Sequence, residues 1–153
     1  MHWLETRVPP LAVVAIAAGL MWMTAEAAPG WALDLPFHTI AAVMLSGIGI
    51  ALAIAGVAAF RSAETTVDPR DPRKSKALVN NGIFRLTRNP MYVGMALALL
   101  GLAAYLAHPL SALIVVLFVF YIDRFQIVPE ERALAQQFGA AFDAYKAQVR
   151  RWL

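Results

Sequence analysis

Two polar groups in this apolar chain carry side chains that can bind a charged ligand. The first is Arg85-Leu86-Thr87-Arg88-Asn89-Pro90, which leads directly into an apolar stretch. Asparagine caps free backbone amides and proline fits the first helical position, so a helix is predicted to begin at Asn89-Pro90. The free amides and the dipole of that helix, together with Arg85, Arg88 and the nearby Lys76, would attract a carboxylate or a phosphate.

The second group is the acidic pair Glu130-Glu131, which follows Pro129 at the end of the next apolar stretch. Only His108-Pro109 separates the two stretches, so they are predicted to form a tight antiparallel hairpin that brings the acidic pair back beside Asn89-Pro90. Such a site suits a ligand with both a carboxylate and an ammonium. Simpler interpretations stay open: Asn-Pro only starts a helix, the arginines only mark a membrane edge, and the glutamates only offset a helix dipole.

The composition indicates a membrane protein. Hydrophobic residues make up 60% of the 153 positions and charged residues only 15%, which is too apolar for a soluble domain of this size. Four apolar stretches approach membrane length: Pro9 to Ala25, Phe37 to Phe60, Met91 to Ala107, and Pro109 to about Val128. As a helix, the second stretch would extend about 36 Å, which is enough to cross a hydrocarbon core of about 30 Å with tilt.

The positive charges predict the orientation. If the four stretches alternate across the membrane, twelve of the thirteen Lys and Arg residues lie on the side of the two termini and the 61–90 loop. Positive residues near membrane helices stay preferentially in the cytoplasm. We therefore expect an integral membrane protein, of a bacterial inner membrane, with both termini cytoplasmic. The exception is Arg124, whose long side chain can reach toward the same face.

Two segments have alternative interpretations. Leu11 to Ala25, followed by Ala25-Glu26-Ala27, also resembles a signal-peptide core with a small-residue cleavage site. In the 61–89 loop, two prolines interrupt Asp68 to Lys74, so this part cannot be a continuous helix. The loop either fixes topology and attracts anionic head groups, or its second part, Lys76 to Val79, folds back over a ligand.

From Glu130 onward the sequence reads as an amphipathic helix. Apolar residues recur at intervals of three and four. They are Leu134, Phe138, Phe142, Tyr145, Val149 and Trp152. We expect this helix to lie at the membrane interface or to pack against the inner loop. The predicted fold is thus an all-α integral membrane protein of four transmembrane helices with a C-terminal amphipathic helix, in a single domain (1–153) of which 76–152 bind the ligand.

These motifs carry a family resemblance. The run Leu78-Val79-Asn80-Asn81-Gly82-Ile83-Phe84, the run Arg88 to Gly94, Glu130-Glu131-Arg132-Ala133-Leu134 and Phe138-Gly139 together closely resemble the isoprenylcysteine carboxyl methyltransferase family and its phospholipid methyltransferase relatives. The resemblance covers residues 76–152. It implies a membrane methyltransferase that uses S-adenosylmethionine. The ammonium and carboxylate of this cofactor match the site inferred above, and its flat ring suits Phe84 or Tyr92.

The resemblance also implies roles for individual residues. Glu130 would hold the amino-acid end of S-adenosylmethionine. The other implied cofactor-binding residues are Lys76, Ala77, Leu78, Val79, Phe84, Asn89, Pro90, Met91 and Tyr92. Eukaryotic family members usually have histidine in place of Asn89, histidine in place of Lys76 and tyrosine in place of Phe84. Asparagine also occurs at the position of Asn89 in bacterial relatives. Prenylcysteine enzymes have an arginine where this chain has Gln126, which leaves recognition of an acceptor carboxylate without its usual cation.

The expected reaction is an in-line displacement at a sulfonium methyl, in which the protein aligns the reactants and excludes water. The acceptor would be lipophilic or membrane-soluble: an isoprenylcysteine-like carboxylate, a phospholipid amine or a small thiol. An amine acceptor would require a proton acceptor, for which Glu131 and Asp123 are the candidates. No nucleic-acid partner is expected, and because the three histidines lie far apart and cysteine is absent, no metal site is expected either. The alternatives are an NADPH-dependent reductase related to sterol reductases and a non-enzymatic membrane scaffold.

Overall fold

The architecture is taken from a computed structural model, which describes Glu5 and residues 8–63 and 78–153. Within these residues the protein is built from helices, and no strand is present. The helices are α1 Pro10–Ala27, α2 His38–Ser62, α3 Pro90–Leu106, α4 Pro109–Ile122, α5 Val128–Phe138 and α6 Ala140–Gln148. Lys76 and Ala77 lie outside the described residues, as does the proline-interrupted part of the 61–89 loop.

The first four helices match the four apolar stretches, which confirms the prediction of an all-α integral membrane protein. Within the described residues, α1, α2 and the continuous helical segment Pro109–Phe138 are long and apolar enough to cross a membrane, while α3 is apolar but has 17 residues. One side of α2 exposes large apolar side chains, as a lipid-facing helix does. They include Ile40, Val43, Met44, Ile50 and Ile54.

Small residues bring α2 and α3 into backbone contact. A methyl group built on Gly94 would lie 2.4 Å from the carbonyl oxygen of Gly49, and one built on Gly101 would lie 2.2 Å from the hydroxyl oxygen of Ser46. Close approach through small residues is the usual way in which membrane helices gain packing energy. Gly47 takes no part in this contact, since among the described atoms a methyl there would meet nothing within 4 Å.

The α3–α4 connection is the tight hairpin that the sequence predicts. Ala107 ends α3 with a left-handed φ of 47°, His108 is extended, and Pro109 already begins α4. The other loop at this end joins the hairpin, since the amide of Leu33 donates to the carbonyl of Ala107 at 2.7 Å. The hairpin therefore returns the chain to the end of the bundle where α3 begins.

The fourth helix continues further than predicted. It passes from α4 through one wide, π-type turn, Asp123–Ile127, directly into α5, and the amide of Val128 donates to the carbonyl of Asp123, five residues back. Pro129 lacks an amide and its ring would crowd the preceding turn of a regular helix, and a wide turn accommodates both effects. Glu130 and Glu131 therefore lie in the first turn of α5, which continues from α4 through the wide turn.

The amphipathic region is two helices rather than one. Gly139 separates α5 from α6 with φ 50° and ψ −125°, a backbone conformation that residues with a side chain rarely adopt. The predicted apolar side is nevertheless real. Phe142, Tyr145 and Val149 are buried against Val79 and Phe84, with Leu134 and Phe138 beside them. The alternative in which this region packs against the inner loop is thus confirmed for the described part of that loop.

The N-terminal helix completes the bundle. Ala17 and Met21 of α1 are buried in one core with residues of α3 and α4. Below them, the side-chain amide of Gln126 donates to the carbonyl of Val8 at 2.8 Å, and Glu5 forms ion pairs with two arginines. The core side of α4 and its wide turn therefore packs against α1 and the segment before it.

Candidate active site

The start of α3 is the first part of the site. Pro90 occupies the first helical position, as predicted, but Asn89 does not cap the helix: within the described residues, its side chain makes no capping hydrogen bond. Its side-chain amide donates instead to the carbonyl of Arg151 at 2.9 Å. The prediction of an asparagine cap is wrong, because a partner distant in sequence competes for the side chain. The consequence is that side chains of the described residues leave the amides of the first turn uncapped.

Tyr92 follows Met91 in the first turn of α3 and hydrogen-bonds one residue of the acidic pair, Glu130. Its hydroxyl donates to Oε1 of Glu130 at 2.6 Å. Tyr92 is 4% exposed, so the hydrogen bond lies between the hairpin helices rather than on the surface. The hairpin therefore does bring Glu130 to the start of α3, as its short turn predicts.

Glu131 lies between two arginines. Arg88 donates to its Oε1 at 2.6 Å from one side, and Arg151 donates to its Oε2 at 2.6 Å from the other. Arg151 also reaches Asp123 at 3.3 Å, and the indole of Trp152 donates to the same carboxylate at 3.1 Å. Hydrogen bonding to Glu131 raises the pKa of Arg151 above its usual value, so this guanidinium stays charged. Two arginines thus balance the two carboxylates that the sequence proposed as proton acceptors.

Hydrogen bonds also hold residues 87–89, which precede α3, against the C-terminal residues 149–151. The hydroxyl of Thr87, which is 1% exposed, donates to the carbonyl of Arg151 and accepts the amide of Asn89, each at 3.1 Å. Arg88 donates its backbone amide to the carbonyl of Arg150 at 3.0 Å and its guanidinium to the carbonyl of Val149. Arg88 was expected to attract a ligand anion, but the structure gives it internal partners.

Three more of the predicted cofactor residues, Leu78, Val79 and Phe84, lie in a separate apolar cluster. Val79 and Phe84 are 7% and 4% exposed and pack under α6, and Leu78 lies beside them. The ring of Phe84 meets that of Phe60 edge-on at 5.2 Å, and its carbonyl accepts the hydroxyl of Tyr145 at 2.7 Å. Burial raises the pKa of Tyr145 to about 12, so its hydroxyl stays protonated as a donor.

Gln126 and Arg124 face the N-terminal segment. Gln126 is fully buried and committed to Val8, whereas Arg124 is half-exposed and pairs with Glu5. Arg124 therefore does not take the place of the arginine that prenylcysteine enzymes have at the position of Gln126. Asp123 pairs with Arg151, a partner from beyond α6.

Sequence reasoning missed Thr87, Arg151 and Trp152 as parts of the site. Thr87 gave a weak signal, since it is a small polar residue between two cationic positions immediately before a helix start. Trp152 was assigned to the apolar side of the amphipathic helix, yet it lies beyond α6, contacts the main core and binds Asp123. Arg151 gave no local signal, because all its partners are at least 20 residues away.

Comparison with known proteins identifies the group to which this arrangement belongs. The phospholipid methyltransferase family matches residues 37–141, which span α2 to the start of α6 and include Arg88, Asn89, Tyr92 and both glutamates. The chain belongs to this family. It falls within the isoprenylcysteine carboxyl methyltransferase and phospholipid methyltransferase group, as its motifs indicated.

Two further comparisons give no information about function. A protein of Haemophilus influenzae, named only as uncharacterized, is 41% identical over 63 residues, which cover 41% of this chain and the whole of that relative. No solved structure matches the chain. Family membership and the apolar helices together make this a membrane protein of a methyltransferase family.

Proposed function

We propose that this protein transfers a methyl group from S-adenosylmethionine to a lipophilic or membrane-soluble acceptor, with the cofactor held between the start of α3 and Glu130. S-adenosylmethionine supplies an electrophilic methyl group on a sulfonium. The protein supplies alignment and exclusion of water, which contribute several kcal/mol in reactions of this kind. Residues 76–152 form the cofactor-binding part of a single domain in this proposal.

The observation that carries the proposal is the unequal pairing of the carboxylates. Arg88 and Arg151 neutralise Glu131 and Asp123, whereas Glu130 has a phenol, Tyr92, as its hydrogen-bond partner and no cation among the described residues. A carboxylate away from water is costly unless a positive charge accompanies it. The ammonium of the methyl donor would supply that charge.

The donor groups around Glu130 also fit the cofactor. The uncapped amides at the start of α3, reinforced by the helix dipole, suit a carboxylate, and they lie within one turn of the Tyr92–Glu130 hydrogen bond. In this proposal Met91, which is partly exposed, and Tyr92, which is 4% exposed, would contact the flat ring of the cofactor. We propose that Phe84, Val79 and Leu78, which are packed together under α6, form an apolar wall of the site, and that Lys76 and Ala77, which precede them in sequence, complete it.

The acceptor side is proposed more coarsely. A phospholipid amine, an isoprenylcysteine-like carboxylate and a small thiol all fit a lipid-accessible site, and Gln126 supplies no cation for a carboxylate because its amide binds Val8. Glu131 and Asp123 stay proposed as proton acceptors for an amine, although each must then act while hydrogen-bonded to Arg151. We propose a bacterial inner-membrane location in which the site faces the cytoplasm, because the positive residues concentrate at that end.

Isothermal titration calorimetry of detergent-solubilised protein tests the cofactor assignment. S-adenosylhomocysteine, the product form of the donor, should bind, and NADPH should not. Glu130→Gln keeps a group that can accept the Tyr92 hydroxyl but removes the charge, and should weaken binding by about 10- to 100-fold, the range for a hydrogen bond to a charged group. Glu130→Ala and Pro90→Ala should also weaken binding without preventing membrane insertion.

Matched controls lie at the opposite end of the bundle. Glu26→Gln removes an exposed carboxylate, and Pro109→Ala removes the proline that begins α4, so both should bind S-adenosylhomocysteine as the wild type does. Unchanged affinity in Glu130→Gln, Glu130→Ala and Pro90→Ala alike would refute the site. Binding of NADPH in place of S-adenosylhomocysteine would indicate a reductase, and binding of neither would indicate a scaffold.

A further inference from the structure

Arg151 joins three separate parts of the chain. Its guanidinium binds Glu131 of α5 at 2.6 Å and Asp123 of the wide turn at 3.3 Å. Its backbone carbonyl accepts the side chains of Asn89 at 2.9 Å and Thr87 at 3.1 Å. One residue therefore connects both sides of the candidate site, the start of α3 and the acidic end of the fourth helix.

We infer that Arg151 is a positioning residue that locks the segment Val149–Trp152 across the mouth of the hairpin and thereby fixes Asn89 and Glu131 beside the proposed cofactor site. The inference rests on the proposed function and adds a residue to it. Arg151 acts through these two residues and is not assigned a contact with the cofactor.

The geometry separates what the side chain does from what the backbone does. Asn89 and Thr87 bind a carbonyl, which any residue at position 151 provides, but that carbonyl stays in place only if the segment is anchored. The guanidinium provides the anchor by reaching two carboxylates at once, which a planar, forked cation does and a lysine ammonium does not. Loss of the side chain should therefore release the carbonyl and, with it, the orientation of Asn89.

A second anchor lies beside the first. The indole of Trp152 donates to Asp123, and Arg88 donates to the carbonyls of Val149 and Arg150. These contacts keep the segment close to the bundle when the Arg151 side chain is removed. The protein should therefore fold with an altered site, rather than unfold.

The test compares Arg151→Ala with Arg150→Ala, which removes an adjacent and exposed arginine. By calorimetry, Arg151→Ala should raise the Kd for S-adenosylhomocysteine at least tenfold, Arg151→Lys should give an intermediate value, and Arg150→Ala should stay within twofold of wild type. Millimolar ethylguanidinium should restore part of the affinity of Arg151→Ala and leave Arg150→Ala unchanged, an effect that a general loss of stability would not produce.

A second measurement reports on the lock without any cofactor. Trypsin cleaves after Arg88, whose guanidinium and amide are bound to Glu131, Val149 and Arg150 in the locked arrangement. Mass spectrometry should show faster cleavage between residues 88 and 89 in Arg151→Ala than in Arg150→Ala. Equal affinities and equal cleavage rates in the two variants would overturn the inference. If the wild type binds no S-adenosylhomocysteine, the proposed function fails, the positioning role for cofactor binding fails with it, and the cleavage rates alone decide whether the segment is locked.

Discussion

Gly94→Ala is expected to force α2 and α3 apart. A Cβ at Gly94 would lie 2.4 Å from the carbonyl oxygen of Gly49 and 2.9 Å from the backbone nitrogen of Ala53. Ordinary contacts begin near 3.4 Å, so the helices must separate locally by about 1 Å. Both obstructing atoms belong to a helix backbone, which cannot rotate away as a side-chain end can. The substitution therefore acts on the whole α2–α3 interface.

The size of the effect follows from two opposing contributions. Overpacking costs about 1–3 kcal/mol, and a gap of about 1 Å removes a quarter to a half of the dispersion energy at the contacts it opens. Against this, replacing glycine by alanine inside a helix stabilises it by up to about 1 kcal/mol. We expect Gly94→Ala to be destabilising by about 1–3 kcal/mol. Gly47→Ala, in which the new methyl meets no described atom within 4 Å, should be neutral or stabilising.

Reversible unfolding in mixed micelles, followed by circular dichroism during titration with a denaturing detergent, measures both variants. The difference in unfolding free energy between the two variants is the decisive result, because both replace glycine by alanine within α2 or α3. Gly94 also lies two residues after Tyr92, so Gly94→Ala should weaken binding of S-adenosylhomocysteine while Gly47→Ala should not. Equal stability of the two variants would show that α2 and α3 do not meet at these glycines.

Three further predictions concern single side chains. Tyr92→Phe removes the hydrogen bond to Glu130 and should cost about 1–3 kcal/mol of unfolding free energy, measured by the same titration, because a carboxylate loses its partner. Tyr145→Phe leaves the Phe84 carbonyl without its hydroxyl donor and should cost about 1–2 kcal/mol; a stability equal to wild type would show that this bond contributes nothing. Hydrogen bonds from Arg124 and Arg132 hold the pKa of Glu5 at about 2, so the stabilisation that this carboxylate provides is present above pH 4.5 and is lost as the pH falls toward 2. Glu5→Gln should therefore lower the melting temperature at pH 7 but not near pH 2, and an equal decrease at both values would contradict the ionic origin of the contact.

The sequence predicted the parts of the fold that depend on local patterns. Membrane-length apolar stretches gave the four helices, His108-Pro109 gave the hairpin, and the three- and four-residue spacing gave the buried side of α5 and α6. The wide turn was missed because Pro129 favours ending a regular helix, whereas the apolar stretch favours continuing it. Packing in the folded protein decides which of the two happens.

For the candidate site, too, the sequence predicted local features but not long-range contacts. The nearness of Asn89 and Glu130 followed from a short hairpin, which is a local feature. The partners of each side chain did not follow, since Arg151 competes for Asn89 and for Glu131 from positions 62 and 20 residues away. Pairwise competition among polar groups is decided by distances in the folded chain. Motif spacing therefore located the site but not the arrangement of its charges.

Helix length gives a physical reason for this close pairing. α3 has 17 residues and extends about 26 Å, so if it crosses a hydrocarbon core of about 30 Å, its polar start would lie at membrane depth. Polar groups at such depth need partners, and the arginines, Thr87 and the carbonyl of Arg151 supply them. Glu130 is the exception among the described carboxylates of this site, because its partner is neutral. A buried carboxyl group without a counter-ion, in a network where the other carboxylates have arginine partners, is the position at which a cationic ligand gains most by binding.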